Sequence, residues 1–577
     1  MMKKIFILMV FASLTYGIQA QNTYFTGMGR ALFTIDDMSD EIVPEGEQRA
    51  SSGYTVFDLG VNVENKGLIR AGVILRARNE FGGFFADGSS TLAIRQMQIE
   101  GIVGKRVKYE IGDVYLQQTP YTLWNFNESF VDYEADIFSM RRDVVNYENY
   151  FIGNKWRMQG VNTATTFQFM QGVEKLSLQL YGTRLLASDL LTIPDRFLYG
   201  SRLNLVQSDV FSCSGNVVGI SDIVGTVDSS EVDYDNNVFT GDVNLKLIRK
   251  EELKIHLLGE AGISLTALRE DISSTNISKS DYFFDAGIKM LYAPKYSFGV
   301  QLNYRDVGPD FNSPAAQTRR IVEGSGDYTL ELFPHFNDGA TLRSMSMLDR
   351  LTQEYGIYTG GISTVLMEYL PQYNNMEPYG QATPNRKGAS AIMSFKDSLE
   401  IISVTVKTDK LSEIYSAGDT ATRAHRDFFS VKGGVVYHFN KTMGWEKSVV
   451  AKIGGKYEST LREGAVPVDL QTISVDCGFS IETIDNLHVL LGGKILRSQG
   501  NEALPIMNRL NQVTTGMTPI MLDFTETLLG IGMQYQFSNT AYFSTQYILG
   551  NYDNSVVGQE QMSSLTHQWF FTFNISF

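Results

Sequence analysis

The C-terminal segment from His567 to Phe577 limits the fold more than any other stretch. Trp569, Phe571, Phe573, Ile575 and Phe577 fall on every second position, with Gln568, Thr572, Asn574 and Ser576 between them. A period of two sends alternate side chains to opposite faces of an extended strand. The segment therefore predicts a strand with one apolar and one polar face, and a helix cannot satisfy that spacing.

The same design recurs along the chain. Tyr296, Phe298, Val300, Leu302 and Tyr304 alternate with Ser297, Gly299, Gln301, Asn303 and Arg305. Phe429, Val431, Val435, Tyr437 and Phe439 alternate with Ser430, Lys432, Gly434, His438 and Asn440. Leu253, Ile255, Leu257, Ala261 and Ile263 face away from Lys254, His256 and Glu260, and Val449, Ala451, Ile453 and Tyr457 away from Lys452 and Lys456. So many strands of one pattern point to an all-β, antiparallel transmembrane barrel. In such a wall a basic residue facing lipid at the midplane costs about 2–4 kcal/mol. The charged face should then be the lumen, lined by Arg70, Arg76, Lys254, Glu260, Arg305, Lys432, Lys452 and Lys456, with acids such as Asp58 and Glu110 among them.

The ends of the chain agree with export. Lys3 and Lys4 precede an apolar run from Ile5 to Gly17, and Ile18-Gln19-Ala20 precedes Gln21, which reads as a signal peptide over residues 1–20. Residues 21–577 then form a single barrel domain. Beyond the leader no apolar run is long enough for a membrane helix. A charge of -15 argues against nucleic acid as a partner.

Short turns at Asn65-Lys66-Gly67, Gln171-Gly172, Lys250-Glu251, Lys396-Asp397, Ile484-Asp485-Asn486 and Ser538-Asn539 alternate with longer polar stretches. That is the rhythm of short periplasmic turns and longer external loops, and it puts both termini on the periplasmic side. Parity is ambiguous at one place. If Tyr355–Glu368 is a wall strand, another must lie within 306–353 and the barrel has about 24 strands; if not, about 22. The spacing is read here as 24, with 22 the alternative.

Two long insertions interrupt the walk, near 116–154 and 306–353. The first carries Tyr121, Trp124, Phe126, Phe130, Tyr133, Phe138 and Tyr147 with Arg141 and Arg142. Trp124, Phe126, Arg141 and Arg142 are candidates for a constriction, because aromatic faces beside charges can contact amphipathic solutes. The same residues equally fit an ordered cap, since a long loop needs apolar contacts of its own. In the second insertion Leu342, Met345, Leu348 and Leu351 predict a short helix over Thr341–Thr352.

Chemistry has little purchase elsewhere. Acids cluster at Asp36, Asp37, Asp40, Glu41, Glu45 and Glu47 and at Asp228, Glu231, Asp233 and Asp235, without the spacing of a calcium loop. Cys213 and Cys477 lack disulfide or zinc spacing. The 6 histidines are scattered and fit no hydrolase motif. No catalytic, metal or cofactor site is expected, and the chain reads as no enzyme.

The leader, the alternating strands and the terminal Phe577 resemble Gram-negative outer-membrane β-barrels over essentially the whole mature chain. The Gln-Ala-Gln junction and aromatic loops are similar in style to Bacteroidota barrels. The resemblance implies that Phe577 is read by the barrel-assembly machinery and that lipid and lipopolysaccharide surround the wall. The chain is too short for the plug domain and 22-stranded wall of a TonB-dependent transporter. Two functions remain: a porin-like channel for passive uptake or efflux of polar solutes, and a non-enzymatic barrel that anchors an envelope protein complex for secretion, assembly or cell-surface binding.

Overall fold

A computed structural model describes residues 21–577 except 41–48, 66, 82–89, 126–132, 149–151, 170, 189, 192–193, 224, 228–231, 271–274, 318–361, 363, 365, 367–368, 420, 508–512 and 557–561. The first strands are β1 (Gln21–Asp40), β2 (Arg49–Asn65), β3 (Ile69–Glu80), β4 (Ser90–Val103), β5 (Val107–Leu116) and β6 (Trp156–Gln168). Next come β7 (Lys175–Leu186), β8 (Arg196–Val206), β9 (Phe211–Asp222), β10 (Val232–Arg249), β11 (Leu253–Glu270) and β12 (Thr275–Tyr292). They are followed by β13 (Tyr296–Val307), β14 (Arg386–Asp397), β15 (Ile402–Ser412), β16 (Asp427–His438) and β17 (Val449–Arg462). The last are β18 (Val468–Ile484), β19 (Leu487–Met507), β20 (Val513–Ser538), β21 (Ala541–Asn554) and β22 (Met562–Ser576). Two helices are described, α1 (Asp136–Glu148) inside the first insertion and α2 (Phe439–Met443) in a turn.

Each strand pairs antiparallel with the one before it, and β22 returns to β1 in register from Met28↔Ser576 to Asp40↔Ser564. The 22 strands thus close into one barrel without a sheet edge. The count is 22 and not 24. Val307 of β13 lies opposite Arg386 of β14, so both hydrogen-bonding edges of β13 are taken and 308–385 has no place in the wall between them. Alternation around 355–368 could not reveal this, because a local pattern carries no information about whether a neighbour's edge is free. Most of that segment, and the helix expected over 341–352, lie outside the described residues.

The outward face is apolar. Leu257, Ile263, Tyr282, Phe284, Leu302, Tyr304, Phe429 and Ile453 are all exposed there. Aromatic contacts recur on it: Tyr296–Phe395 at 5.9 Å, Tyr535–Phe537 at 4.9 Å, Phe537–Phe573 at 6.0 Å, Phe33–Phe571 at 6.3 Å and Tyr547–Trp569 at 4.8 Å. Aromatic rings on an apolar outer band suit a wall that faces a bilayer. At the seam the Phe577 amide donates to Gly27 O at 3.0 Å and Gly27 N to Phe577 O at 2.9 Å. The Phe577 ring stacks on Phe57 at 5.9 Å and occupies the space a Cβ at Gly27 would need.

Connections on the two rims differ in length on the whole, although the turn after β16 (439–448) is longer than the links after β11, β17 and β19. The turns after β2, β4, β6, β8, β10, β12, β14, β16, β18 and β20 form one rim, where both ends of the barrel also lie; both insertions spring from the other, loop rim.

Candidate functional site: the occupied lumen

The first insertion leaves β5 at Leu116 and folds inward at mid-height. Its opening stretch crosses to β8, β11 and β12: Gln118 Nε2 donates to Ser201 O at 3.0 Å, Thr119 Oγ1 to Glu260 Oε1 at 2.6 Å and Tyr121 OH to Asp285 Oδ2 at 2.6 Å. The Tyr121 ring stacks on Phe283 at 4.1 Å. Burial, reinforced by Asp285, pushes the Tyr121 phenol well up, so it remains a neutral donor.

The chain then reaches the opposite wall, which is built to receive it. Gly434, Gly454, Gly478, Gly492 and Gly530 lie on the inner face of β16–β20, with Gly434 opposite Gly454, Gly478 opposite Gly492 and Gly492 opposite Gly530. Side chains there would collide with the insertion: Tyr133 lies over Gly434, Ala135 over Gly478, and Ile137 and Phe138 over Gly492. Ala135, Ile137 and Phe138 pack with Leu490, Leu528 and Ile548 in a buried cluster. Polar contacts fix the register of α1. Ala135 N donates to Asp476 Oδ1 at 3.2 Å, Lys452 pairs with Asp136 at 2.8 Å, and Glu134 pairs with Arg142 and with Lys494, the latter at 3.3 Å.

Arg141 is 1% exposed and is held by wall amides. Its Nε donates to Gln546 Oε1 at 2.6 Å, a second nitrogen to Gln568 Oε1, and its guanidinium lies 4.2 Å from the Phe570 ring centroid. Beyond it Tyr147 OH donates to Asp58 Oδ2 at 2.7 Å, and that buried carboxylate also takes Arg76 at 2.7 and 2.8 Å and Arg95. The insertion has then touched the wall from β8 round to β4.

The described parts of the second insertion, 308–317 and 369–385, lie against the upper wall and the first insertion. Asn312 N donates to Ser264 Oγ at 2.9 Å, Ser313 Oγ to Tyr121 O at 2.8 Å, and both Trp124 N and Trp156 Nε1 to Ala315 O at 2.9 and 3.0 Å. Further on, Asn375 N donates to Glu458 Oε1 at 2.6 Å, Tyr373 OH to Glu526 Oε2 at 3.2 Å, and Lys456 Nζ to Tyr373 O at 2.8 Å. Glu377 pairs with Arg305 and, at 3.6 Å, with Lys407. Burial opposes its charge, but Arg305, Lys407 and Lys432 together hold its carboxyl well below the usual range.

The residues singled out in the sequence divide into two groups. Arg76, Glu260, Arg305, Lys452 and Lys456 hold the insertions in place, and Lys432 faces Glu377. Arg70 and Lys254 lie nearer the turn rim, where the inner wall stays open: Arg70 meets Glu100 at 3.1 Å, and Lys254 is exposed. Trp124 joins the buried cluster of Tyr121, Val238, Phe283 and Phe311, while Phe126 lies outside the described residues. Sequence reasoning missed Asn375, Glu377 and the glycine row, and it named Asp58 only as lumen-facing and Tyr147 only as an insertion aromatic, without joining the two. The available signals were a carboxylate and glycines at inward strand positions, which pattern alone cannot distinguish from solvated ones.

Below the insertions the wall of β3–β7 is a polar lattice. Lys108 Nζ donates to Glu110 Oε1 at 2.7 Å, Asn162 Nδ2 to Glu110 Oε2 at 2.9 Å and Gln179 Nε2 to Asn162 Oδ1 at 3.0 Å. A cavity of about 310 Å³ opens beside it, lined by Tyr24, Asn62, Arg70, Gln96, Gln98 and Glu100 among others. Among the described residues no group of three or more His, Cys, Asp or Glu is placed to hold a metal ion.

A closed antiparallel wall with an apolar, aromatic-bearing outer band and a charged interior defines a transmembrane β-barrel of the outer-membrane class. No family model matches the sequence, and no curated protein matches it. Solved structures similar to the chain include the outer-membrane channel DcaP of Acinetobacter baumannii (8% identity, 97% of this chain and 98% of that one, TM-score 0.27). The ferric citrate transporter FecA matches at 8% identity over 96% of this chain and 78% of its own, with a TM-score of 0.48. OccK11 of Pseudomonas aeruginosa matches at 9% over 96% of each chain, with a TM-score of 0.32. At such identities and scores these likenesses carry no argument about solute or mechanism.

Proposed function

We propose that the protein is an outer-membrane channel for passive passage of polar solutes, with the turn rim and both termini in the periplasm and the loop rim outside. The observation that carries this reading is the wall below the insertions. Arg70, Glu100, Lys108 and Glu110 form a mixed-charge surface that stays partly exposed, with Arg70 45% and Lys108 54% exposed at the side chain. Charged groups kept wet inside a wide barrel suit an aqueous vestibule. The insertions then set the narrowest section.

The test is single-channel conductance of refolded protein in planar bilayers, with and without deletion of 116–154. Stable conductance that rises on deletion supports a channel with a constriction. Silence in both folded forms removes the channel reading. A second reading is an anchor for an envelope protein complex, favoured by the contacts of the first insertion with opposite sides of the wall. It expects conductance only after deletion and a partner that co-purifies with the intact barrel.

A further inference from the structure

Near the turn rim, the inner wall of β10–β12 carries a basic row that the insertions do not use. Lys246, His256 and Lys289 lie directly opposite one another across the three strands, and Arg249 lies opposite Lys254 one step nearer the rim. Strand parity puts Lys246, Lys254, His256 and Lys289 on the face of Glu260, which meets Thr119 inside the lumen, and a bulge between Lys246 and Ile248 turns Arg249 to the same side. Arg249, Lys254 and Lys289 are exposed, and Lys246 and His256 are half-buried.

Like charges directly opposite in a sheet destabilise it. Elsewhere in the lumen this is offset by carboxylates: Lys108 lies beside Glu110, Lys452 beside Asp136, and Lys494 beside Glu134 and Asp476. In the basic row, no ion pair joins Lys246, Arg249, Lys254 or Lys289 to a carboxylate among the described residues. The acids on the same face lie farther up and are engaged. Asp242 takes Asn216 and faces Arg202 at 3.7 Å, Glu260 takes Thr119, and Asp285 takes Tyr121 and Asn303. Glu251 and Glu252 sit in the turn beyond Arg249. The remaining neighbours are neutral hydrogen-bonding groups: Asn244, which meets His256 Nδ1 at 3.2 Å, and Gln301, opposite Lys289.

We propose that this row is a binding site for small multivalent oxyanions, whether phosphate- or carboxylate-bearing, which would enter or leave through the vestibule; the role in passage rests on the channel reading, the binding site does not. Several ammonium groups converging on one wall, with amides between them, supply the charge and the donors that such an anion loses with its water. Bound anion would also relieve the repulsion along the row.

The experiment is calorimetric titration of the detergent-folded full chain with pyrophosphate and, separately, citrate at low salt. Saturable binding is expected, weakened at least about tenfold in K246Q/K254Q/K289Q and unchanged in K447Q, which removes a turn lysine already paired with Asp485. Circular dichroism checks that each variant is folded; these substitutions sit at open positions, and K254Q/K289Q alone, both exposed, should weaken binding in the same direction. No saturable binding by the wild type, or equal binding by folded K246Q/K254Q/K289Q, overturns the site. In planar bilayers the triple variant should lose chloride-over-potassium preference. Pyrophosphate binding by a barrel that never conducts would support the site and defeat the channel. Conductance without pyrophosphate or citrate binding would do the reverse.

Discussion

Truncating Ile137 and Phe138 to alanine should unseat α1 from the glycine row. Both side chains are fully buried against Leu490, Leu528 and Ile548. Separately, Ile→Ala costs about 2–5 kcal/mol and Phe→Ala about 3–5 kcal/mol. The two share one cavity and will not add in full, so about 5 kcal/mol is the working figure for the pair. That changes the ratio of seated to open insertion by more than about a thousandfold. The wall keeps its own hydrogen bonds, so the loss is local to the insertion. Amide hydrogen exchange is the direct readout: protection over 133–148 should fall by up to that factor, with the strand amides of β17–β20 little changed. If exchange in α1 is unaltered in a folded double mutant, the apolar seat does not hold the insertion. Its position would then rest on the polar contacts that Glu134, Ala135, Asp136, Arg141 and Tyr147 make with the wall.

Asp58→Asn should be among the most damaging single substitutions in the lumen. It leaves Arg76 and Arg95 buried without the carboxylate they share, at a cost of about 3–5 kcal/mol, read as a lower urea midpoint and as loss of protection at Tyr147. Acid should loosen the second insertion. Because the Glu377 carboxyl is held below its unfolded value near 4.3, its contribution is fully present above that pH and fades as pH falls below about 4 towards the folded value. Protection over 369–383, taken relative to the intrinsic exchange rate at each pH, should therefore fall in acid in the wild type and become less pH-dependent in Glu377→Gln; identical profiles would refute the role given to this pair.

Much of the wall was legible because its cause is local. A strand that divides lipid from lumen must alternate, so Phe298 and Arg305, or Ile453 and Lys456, declare their faces without reference to any neighbour. The turns were legible for the same reason, since short polar breaks such as Ile484-Asp485-Asn486 interrupt the pattern; Asn486 adopts φ 66 there, a conformation asparagine tolerates. Strand number was not fixed this way. It depended on whether β13 had a free edge, which is a property of its partner Arg386–Asp397.

The sequence by itself determined the class of fold and the two faces of each strand, because alternation acts over a few residues. Only the tertiary structure decided where the insertions go and what they meet. Arg141, a candidate either for a constriction or for an ordered cap, is tied to Gln546 and Gln568 more than 400 residues away. Gly478 and Gly492 became a docking surface when β18 and β19 came into register. Lys246, His256 and Lys289 became one basic row for the same reason. Closure of the barrel brings distant positions to within a strand spacing, and no local pattern encodes which positions those are.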